Sequence, residues 1–319
     1  MEDSDFYPPK PNLVEYKPRS SAGLTVLSLV LFTMAFLWLF GIEEFSFLAM
    51  LIAVLIIHEM GHFIMMKVFK YENVRMLFIP LMGAFVQGKK RKYSQRESFM
   101  VVFAGPFPGM LIGAALLWYS NTYHIAWMLQ LSALFLLLNI INLLPLDPLD
   151  GGQLFKLFGL ANHEYFLMAF AFVSSIIIIA VGFFIGEFGY LLIVFGFLMG
   201  FRVRSLQKQY HMHKELNKEE VDYKKSYKSL TNREFARIKQ VVLEHTPQLK
   251  KYIDQISEDQ SDPLIASQVN SVLVAPLKAD ASPLFRTVIL LLWLLAFALP
   301  FFMYFALDLV WIRSAFFLA

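Results

Sequence analysis

The sequence predicts an all-α polytopic membrane protein with about seven transmembrane helices and a small helical part outside the membrane. Its 319 residues are 57% hydrophobic and only 17% charged, whereas soluble domains average about 45–50% apolar and 25% charged residues. Apolar runs of membrane-spanning length recur along the chain, and the basic residues are distributed unevenly between the loops that join them. These three observations argue against a soluble globular protein. The net charge of +3 gives no indication of a nucleic-acid partner.

The apolar runs give the number of crossings, because a helix needs about 20 apolar residues to cross the hydrocarbon of a bilayer. Seven runs approach or reach this length, near residues 23–41, 47–69, 98–120, 125–145, 164–184, 188–202 and 285–307. The pair at 164–184 and 188–202 leaves an alternative open. Glycines at 182, 186 and 189 could mark a re-entrant turn there instead of two crossings.

The basic residues predict the orientation. With residues 1–22 in the cytoplasm, the loops near 42–46, 121–124 and 185–187 face outward and contain no Lys or Arg. Of the 28 basic residues, 27 lie in the inner segments or at the inner ends of the runs, and Arg313 is the exception. This agreement with the positive-inside rule supports seven crossings and a cytoplasmic N-terminus. No signal-peptide cleavage pattern precedes the first run, so we expect it to stay as an anchor of a multi-pass protein in a cell membrane.

Six parts are predicted along the chain. They are a cytosolic tail (1–22), a first transmembrane helix with its outer loop (23–46), a core (47–155), two further transmembrane segments (156–202), a cytosolic, mostly helical region (203–283), and a C-terminal transmembrane helix with its tail (284–319). We call residues 203–283 the appendage. Thr231 and Glu234 in the appendage have the spacing of a capping box, which predicts a helix start. We interpret His211 and His213 as part of a solvated helix face rather than as metal ligands.

The second apolar run contains His58, Glu59 and His62 in the pattern H-E-x-x-H. Residues four apart lie on one face of a helix, so the two imidazoles can bind one zinc ion while Glu59 acts as a general base beside it. The alternative is that both histidines only form hydrogen bonds within the helix bundle. Ionisable groups inside a membrane helix cost roughly 2.5–3.5 kcal/mol each, so the pattern favours a metal site.

A catalytic zinc ion needs a third protein ligand, and a chain without cysteine must supply it from His, Asp or Glu. Asp150, at the cytoplasmic end of the fourth run, matches the depth of the two histidines, roughly 10 Å inside the boundary at 1.5 Å per residue. Pro145 and Pro148 interrupt the helix before it. Asp147 is the competing ligand, and either aspartate could instead cap the following helix. The sequence therefore predicts one Zn²⁺ per chain.

Together these segments resemble the site-2 protease family of intramembrane zinc metalloproteases. That family combines H-E-x-x-H in one core helix with N-x-x-P-x-x-x-L-D-G in another. The second pattern is matched here by Asn142, Pro145, Leu149, Asp150 and Gly151. The similarity extends to the stretch FIPLMGAFVQGKK, which resembles the membrane-associated β-loop of the family, and to AGPFPG at the start of the third run. It covers roughly residues 47–155.

The resemblance implies a three-helix metalloprotease core with a short β-loop, and a role for each matching residue. His58, His62 and Asp150 would bind zinc, Glu59 would be the catalytic acid and base, and Asn142 would help to position the substrate. The substrate would be a membrane-anchored protein cleaved near the cytoplasmic side of the bilayer, releasing a signalling fragment. A regulatory membrane protein or a second copy of the chain would be a further partner.

The residues between the first two core runs suggest how a substrate is held. Apolar residues alternate from Val74 to Phe78, and Gly83 and Gly88 punctuate a second short run. An exposed strand edge could hold an unwound substrate by β-augmentation, while the alternative is an ordinary interfacial loop. The small residues Gly105, Gly109 and Gly113 predict close helix packing.

Two other kinds of function fit less well. A membrane di-iron oxygenase also uses H-x-x-x-H, but its sites need many more histidines than the seven of this chain. A transporter is not indicated because the hydropathy shows no internal repeat. A catalytically silent receptor would be expected to have lost at least one of the four residues that the chemistry needs, and all four are present.

Overall fold

The computed structural model describes residues 7–14, 21–80, 83–90, 92–158, 164–184, 186 and 189–307. The α-helices in these ranges are α1 (Ser21–Phe40), α2 (Phe45–Val68), α3 (Gln95–Phe103), α4 (Pro106–Tyr123), α5 (Ala126–Leu143), α6 (Asp150–Leu157), α7 (Glu164–Phe184), α8 (Gly189–Lys218), α9 (Asn232–Glu244), α10 (Pro247–Ile253), α11 (Glu258–Val272) and α12 (Pro283–Ala306). The strands are β1 (Glu72–Ile79), β2 (Gly83–Lys89), β3 (Tyr93–Ser94) and β4 (Leu277–Lys278).

Seven helical segments of the described chain are long and apolar enough to cross a membrane, which confirms the predicted polytopic all-α fold. They are α1, α2, the joined α3 and α4, α5, α7, α8 and α12. The pair near residues 164–202 forms two long helices that pack along each other rather than a re-entrant turn. The last of these, α8, continues sixteen residues beyond the predicted boundary at 202 and enters the appendage.

The third apolar run is not one helix. It breaks at Ala104 and Gly105, because Pro106 has no N–H to donate to the preceding turn. The break lies against α2, where Gly61 leaves no room for a side chain: a Cβ there would stand 1.9 Å from the carbonyl oxygen of Ala104. This close approach of two backbones places the H-E-x-x-H turn of α2 directly beside the start of α4.

The loop between α2 and α3 contains an antiparallel hairpin of β1 and β2, as predicted. Val74, Met76 and Phe78 of β1 are buried. Side chains of α1 cover the outer edge of β1, since Thr25 donates a hydrogen bond to the carbonyl of Met76 (2.6 Å). The other strand, β2, lies against α2. The hairpin is therefore held between the first two membrane helices, with β2 toward the metal motif.

The appendage has a hydrophobic core of its own. Its fully buried residues include Leu216 of α8, Ile238 of α9 and Val269 of α11. The predicted capping box is confirmed at the start of α9, where Thr231 and Glu234 bond reciprocally. His211 is exposed as predicted, but the solvated-face interpretation is wrong for His213.

His213 is buried because its ring joins three elements. Nδ1 lies 2.8 Å from Oε1 of Glu164, the first residue of α7, and Nε2 lies 2.7 Å from the carbonyl oxygen of Val272, the last residue of α11. The ring also stacks on that of Tyr223 at a centroid distance of 4.1 Å. These contacts join the end of α8 to the start of α7 and to the end of α11.

Residues 7–14 pack on the same appendage. Nζ of Lys10 donates to the carbonyl oxygens of Tyr227 (3.0 Å) and Leu230 (2.5 Å). The hydroxyl of Tyr227 donates in return to the carbonyl of Pro11 (2.8 Å). Leu13 adds an apolar contact with the appendage core. The N-terminal segment and the appendage therefore form one packed unit.

The C-terminal helix α12 packs on the core helices α3, α4 and α5. Its Trp293 donates an indole N–H to the carbonyl of Leu143 (2.9 Å), at the point where α5 ends. The segment before α12 is fixed by the short parallel pairing of β3 with β4. The helix thus supports the backbone that leads from α5 to Asp150.

Candidate metal centre

The candidate site is built on α2, whose His58, Glu59 and His62 are all buried. Two glycines allow neighbouring backbone to come this close. Gly61 lies between the motif residues and contacts the break before α4. At Gly105 a Cβ would lie 2.2 Å from Nε2 of His62, so only glycine leaves the imidazole its place.

The orientation of each imidazole is fixed by a hydrogen bond at Nδ1. Nδ1 of His62 donates to the carbonyl oxygen of Val101 (2.8 Å), which can only accept. Nδ1 of His58 donates to Oδ1 of Asn139 (2.7 Å), and the amide of Asn139 donates in turn to the carbonyl of Phe135 (2.7 Å). With the proton on Nδ1, each Nε2 presents a lone pair to the site, as a metal ligand must.

Asp150 completes a set of three donor atoms. Its Oδ2 lies 3.0 Å from Nε2 of His58 and 3.2 Å from Nε2 of His62, and the two nitrogens are 3.3 Å apart. Tetrahedral ligands at the usual zinc distances of about 2.0–2.1 Å are separated by about 3.3–3.4 Å. The three atoms therefore fit one face of a tetrahedron around a zinc ion. In the described part of the chain this is the one group of three such side chains able to share a metal.

The break between α5 and α6 brings Asp150 to the histidines. Asp150 is the first residue of α6. The two residues after it pack tightly on the loop, since a Cβ at Gly151 would lie 2.1 Å from the carbonyl oxygen of Leu143 and one at Gly152 would lie 2.3 Å from that of Leu146. The glycines thus let α6 begin directly under the end of α5, with its first side chain in the site.

Glu59 lies beside this group but is not one of its three donors. Its carboxylate lies near the backbone N–H of Val86 in β2. The acidic residue of the motif therefore faces the edge of the hairpin that lies against α2. A carboxylate in this position can act on a reactant held between the metal ligands and the strand.

The competing ligand Asp147 points elsewhere. Its carboxylate is fully buried and pairs with Lys156 of α6 and with Arg202 of α8. The structure does not bring it into the group formed by His58, His62 and Asp150. It does not cap α6 either, because α6 begins three residues later.

Asn142 is half-buried and donates a hydrogen bond to the carbonyl of Leu138 in its own helix (3.1 Å). Its expected contact with a substrate stays a prediction. Asn139, one turn earlier, is a site residue that the sequence analysis missed. It is fully buried, and Gly109 of α4 makes room for it, since a Cβ there would lie 2.3 Å from its Nδ2. The available signal was a second asparagine in a largely apolar helix.

Comparison with known proteins agrees with this geometry. Residues 46–126, which contain His58, Glu59 and His62, match the sequence model of peptidase family M50. Through this segment the chain is similar to the site-2 proteases of family M50. Stage IV sporulation protein FB of Bacillus subtilis (strain 168) is 30% identical over 117 residues, which are 34% of this chain and 39% of that protein.

A zinc metalloprotease of Methanocaldococcus jannaschii is 29% identical over 106 residues, covering 32% of this chain and 30% of that protein. The match to this metalloprotease and to the Bacillus protein thus spans well under half of either relative's length. Among solved structures, the site-2 protease from Methanocaldococcus jannaschii aligns with a TM-score of 0.41 and 22% identity over 56% of this chain and 86% of that chain.

Proposed function

We propose that this protein is an intramembrane zinc endopeptidase in which His58, His62 and Asp150 hold one Zn²⁺ per chain. The observation that carries the proposal is the set of three donor atoms 3.0–3.3 Å apart. All three come from buried or nearly buried side chains at membrane helices, where unpaired ionisable groups are costly. A bound metal ion would offset the cost of burying these three side chains.

The chemistry divides between the ion and the chain. A bound zinc ion would polarise the carbonyl of the scissile peptide and lower the pKa of water toward about 7. Glu59 accepts the proton of the attacking water and delivers it to the leaving amine. The Nδ1–H bonds of His58 and His62 hold both rings in the ligand tautomer throughout.

The substrate class follows from the position of the site. A peptide bond within a transmembrane helix is shielded by its own hydrogen bonds, so the substrate must unwind before it reacts. The edge of β2 that faces α2 can accept an extended segment as an additional strand. The position of Val86 near Glu59 supports this placement, because it puts the strand edge beside the proposed catalytic carboxylate. Asn142 is the residue proposed to hold the substrate backbone.

The proposed setting is a cell membrane with the N-terminus in the cytoplasm and cleavage near that side, as the distribution of basic residues predicts. The resemblance to site-2 proteases supports a membrane-anchored protein as substrate and the release of a signalling fragment. A regulatory membrane protein or a second copy of the chain is the further partner proposed.

The deciding experiment uses the full-length protein in proteoliposomes with a panel of single-span reporter proteins. Glu59→Gln should reduce cleavage by about 10²–10⁴-fold, the usual contribution of a general base, while the zinc content by elemental analysis stays at one per chain. Glu43→Gln, at an exposed glutamate just before α2, is the matched control and should cleave normally. A Glu59→Gln protein that cleaves like the wild type, or a wild type without zinc, would contradict the proposal.

A further inference from the structure

Asp147 forms a buried ionic cluster next to the proposed metal site. Its side chain has no exposed surface, yet two cations from different helices reach it. Lys156 pairs with Oδ1, and Arg202 approaches with Nε 2.9 Å from Oδ2 and Nη2 3.4 Å from Oδ1. A carboxylate so completely removed from water needs such partners, because its desolvation is otherwise uncompensated.

The cluster connects the loop before Asp150 to α6 and α8, in addition to the hydrogen bonds that the loop forms within itself. Between the end of α5 and the start of α6, Pro145 and Pro148 contribute no backbone donors. The N–H of Asp147 donates to Oγ of Ser174 in α7 (3.0 Å), so that helix also contacts the loop. Asp147 lies three residues before Asp150, and its contacts therefore determine where the third proposed ligand stands.

Arg202 links this loop to the appendage, because both lie on one uninterrupted helix. α8 runs from Gly189 to Lys218, and at 1.5 Å per residue Met212 follows Arg202 by about 15 Å. Met212 and Leu216 are buried in the appendage core. His213 fastens the same turn of α8 to Glu164 and to Val272. A shift or rotation of α8 together with the appendage must move Arg202 relative to Asp147.

We infer that Arg202 is a positioning residue through which the appendage controls the metal-ligand loop. With the appendage seated, Arg202 holds Asp147 and keeps Asp150 within reach of the two histidines. When the appendage moves, the loop loses one of its two cations and the metal site loosens. The inference rests on the proposed metal site and adds to it a means of regulation.

The first test measures zinc affinity rather than cleavage, by elemental analysis of the full-length protein at free zinc concentrations set by a chelator. Arg202→Ala should weaken zinc binding by about 10-fold, the lower end of the range for outer-shell partners. Arg204→Ala changes an exposed arginine two residues further along α8 and should bind zinc like the wild type. In an Asp147→Asn background, Arg202→Ala should add nothing, because its partner has already lost its charge.

The second test addresses the appendage. His213→Ala removes the contacts with Glu164 and Val272, and it should weaken zinc binding in the wild type but not further in Arg202→Ala. Glu164→Gln alters the same contact from α7 and replaces His213→Ala if that variant does not fold.

The possible results separate the two proposals. A wild type that binds no zinc refutes the proposed function. A wild type that binds zinc, with Arg202→Ala of equal affinity, refutes the positioning role. Equal effects of His213→Ala with and without Arg202, or no effect in either, refute the control by the appendage.

Discussion

The membrane core and the appendage bury different kinds of residue. In the core, the fully buried positions include Asn139 and Asp147, and each makes specific polar contacts. In the appendage, the buried positions are mostly aliphatic and aromatic, and α9 carries Phe235, Ile238 and Val241 on one face. Lipid solvates apolar surface as well as a protein interior does, so hydrophobic burial cannot specify the core. Small residues and polar contacts specify it instead.

The outer surfaces show the same difference. α1 exposes Val26, Met34 and Trp38, which suits a lipid environment. α9 exposes Arg233 and Arg237 and begins with a capping box, as helices in water do. Substitutions in the core should therefore change metal binding and activity, whereas substitutions in the appendage outside α8 should change its stability.

The largest effect is expected at the proposed ligands. His58→Ala and Asp150→Ala each remove a donor atom, and zinc affinity should fall by more than the roughly 10–100-fold that outer-shell changes cause. His211→Ala, at an exposed histidine, is the control and should bind zinc normally. Circular dichroism should show an unchanged helix content in all three. Normal zinc content in Asp150→Ala would show that a residue other than Asp150 is the third ligand.

The two asparagines of α5 offer a sharper comparison within the core. Asn139→Ala removes the acceptor that orients His58, so zinc affinity should fall by about 10–100-fold. Asn142→Ala should leave zinc affinity unchanged and reduce cleavage if this residue holds the substrate. Zinc titrations and reporter cleavage measured on both variants distinguish the roles. Equal zinc affinity in Asn139→Ala and the wild type would contradict the assigned contact.

Two glycines compare a tight position before the start of a helix with an open position within one. Gly105→Ala places a methyl group 2.2 Å from Nε2 of His62, and overpacking of this kind costs about 1–3 kcal/mol. The imidazole must move, so zinc affinity should fall as well. Gly200→Ala in α8 meets nothing within 4 Å and should be neutral or slightly stabilising. Thermal unfolding and zinc content of the two variants check this, and similar behaviour of both would rule out the close approach at the site.

The smallest effect is expected in the appendage. Thr231→Ala removes the side-chain cap of α9 and should lower the free energy of unfolding by about 1 kcal/mol. Zinc content and cleavage should not change. Ser229→Ala, at an exposed serine just before the cap, is the nearest control and should lower the free energy of unfolding by less. Chemical denaturation of both variants checks this, and an equal loss in the two would argue against the capping role.

Acid should lower the free energy of unfolding of the appendage, as the loss of the cap does. Burial alone would raise the pKa of Glu234, but hydrogen bonds from Lys225 and Thr231 outweigh it and hold the pKa below its ordinary value. The stabilisation is present above the pKa of the unfolded chain and is lost as the pH falls through the folded value. Unfolding followed from pH 7 to pH 3 should show this loss in the wild type and a smaller one in Thr231→Ala.

The sequence predicted the elements of the core well because their signals are local. Seven apolar runs, an H-E-x-x-H pattern and an alternating hairpin can each be recognised without knowledge of the fold. Asp150 was predicted as a ligand because the proline and glycine residues around it mark a broken helix at the right depth, and the structure places it beside the two histidines. These predictions depend on neighbours in sequence, so tertiary packing had little opportunity to change them.

The residues that the sequence did not reveal all depend on distant partners. Asn139 acquires its role from His58, 81 positions away. His213 is buried only because Glu164 and Val272 close over it. Asp147 has a side chain that suits a metal ligand or a helix cap, but its ion pair with Arg202 of α8 gives it a different role. In each case the deciding contact joins helices whose arrangement no local pattern encodes.

The contact between Lys10 and the appendage has a consequence for topology. Two stretches of chain that touch outside the bilayer share one aqueous compartment, so the path between them must cross the membrane an even number of times. Six of the seven candidate spans lie between Lys10 and its carbonyl acceptors at Tyr227 and Leu230. Six is an even number, as this contact requires. An odd number of crossings along this path would leave Lys10 and its acceptors on opposite sides of the lipid.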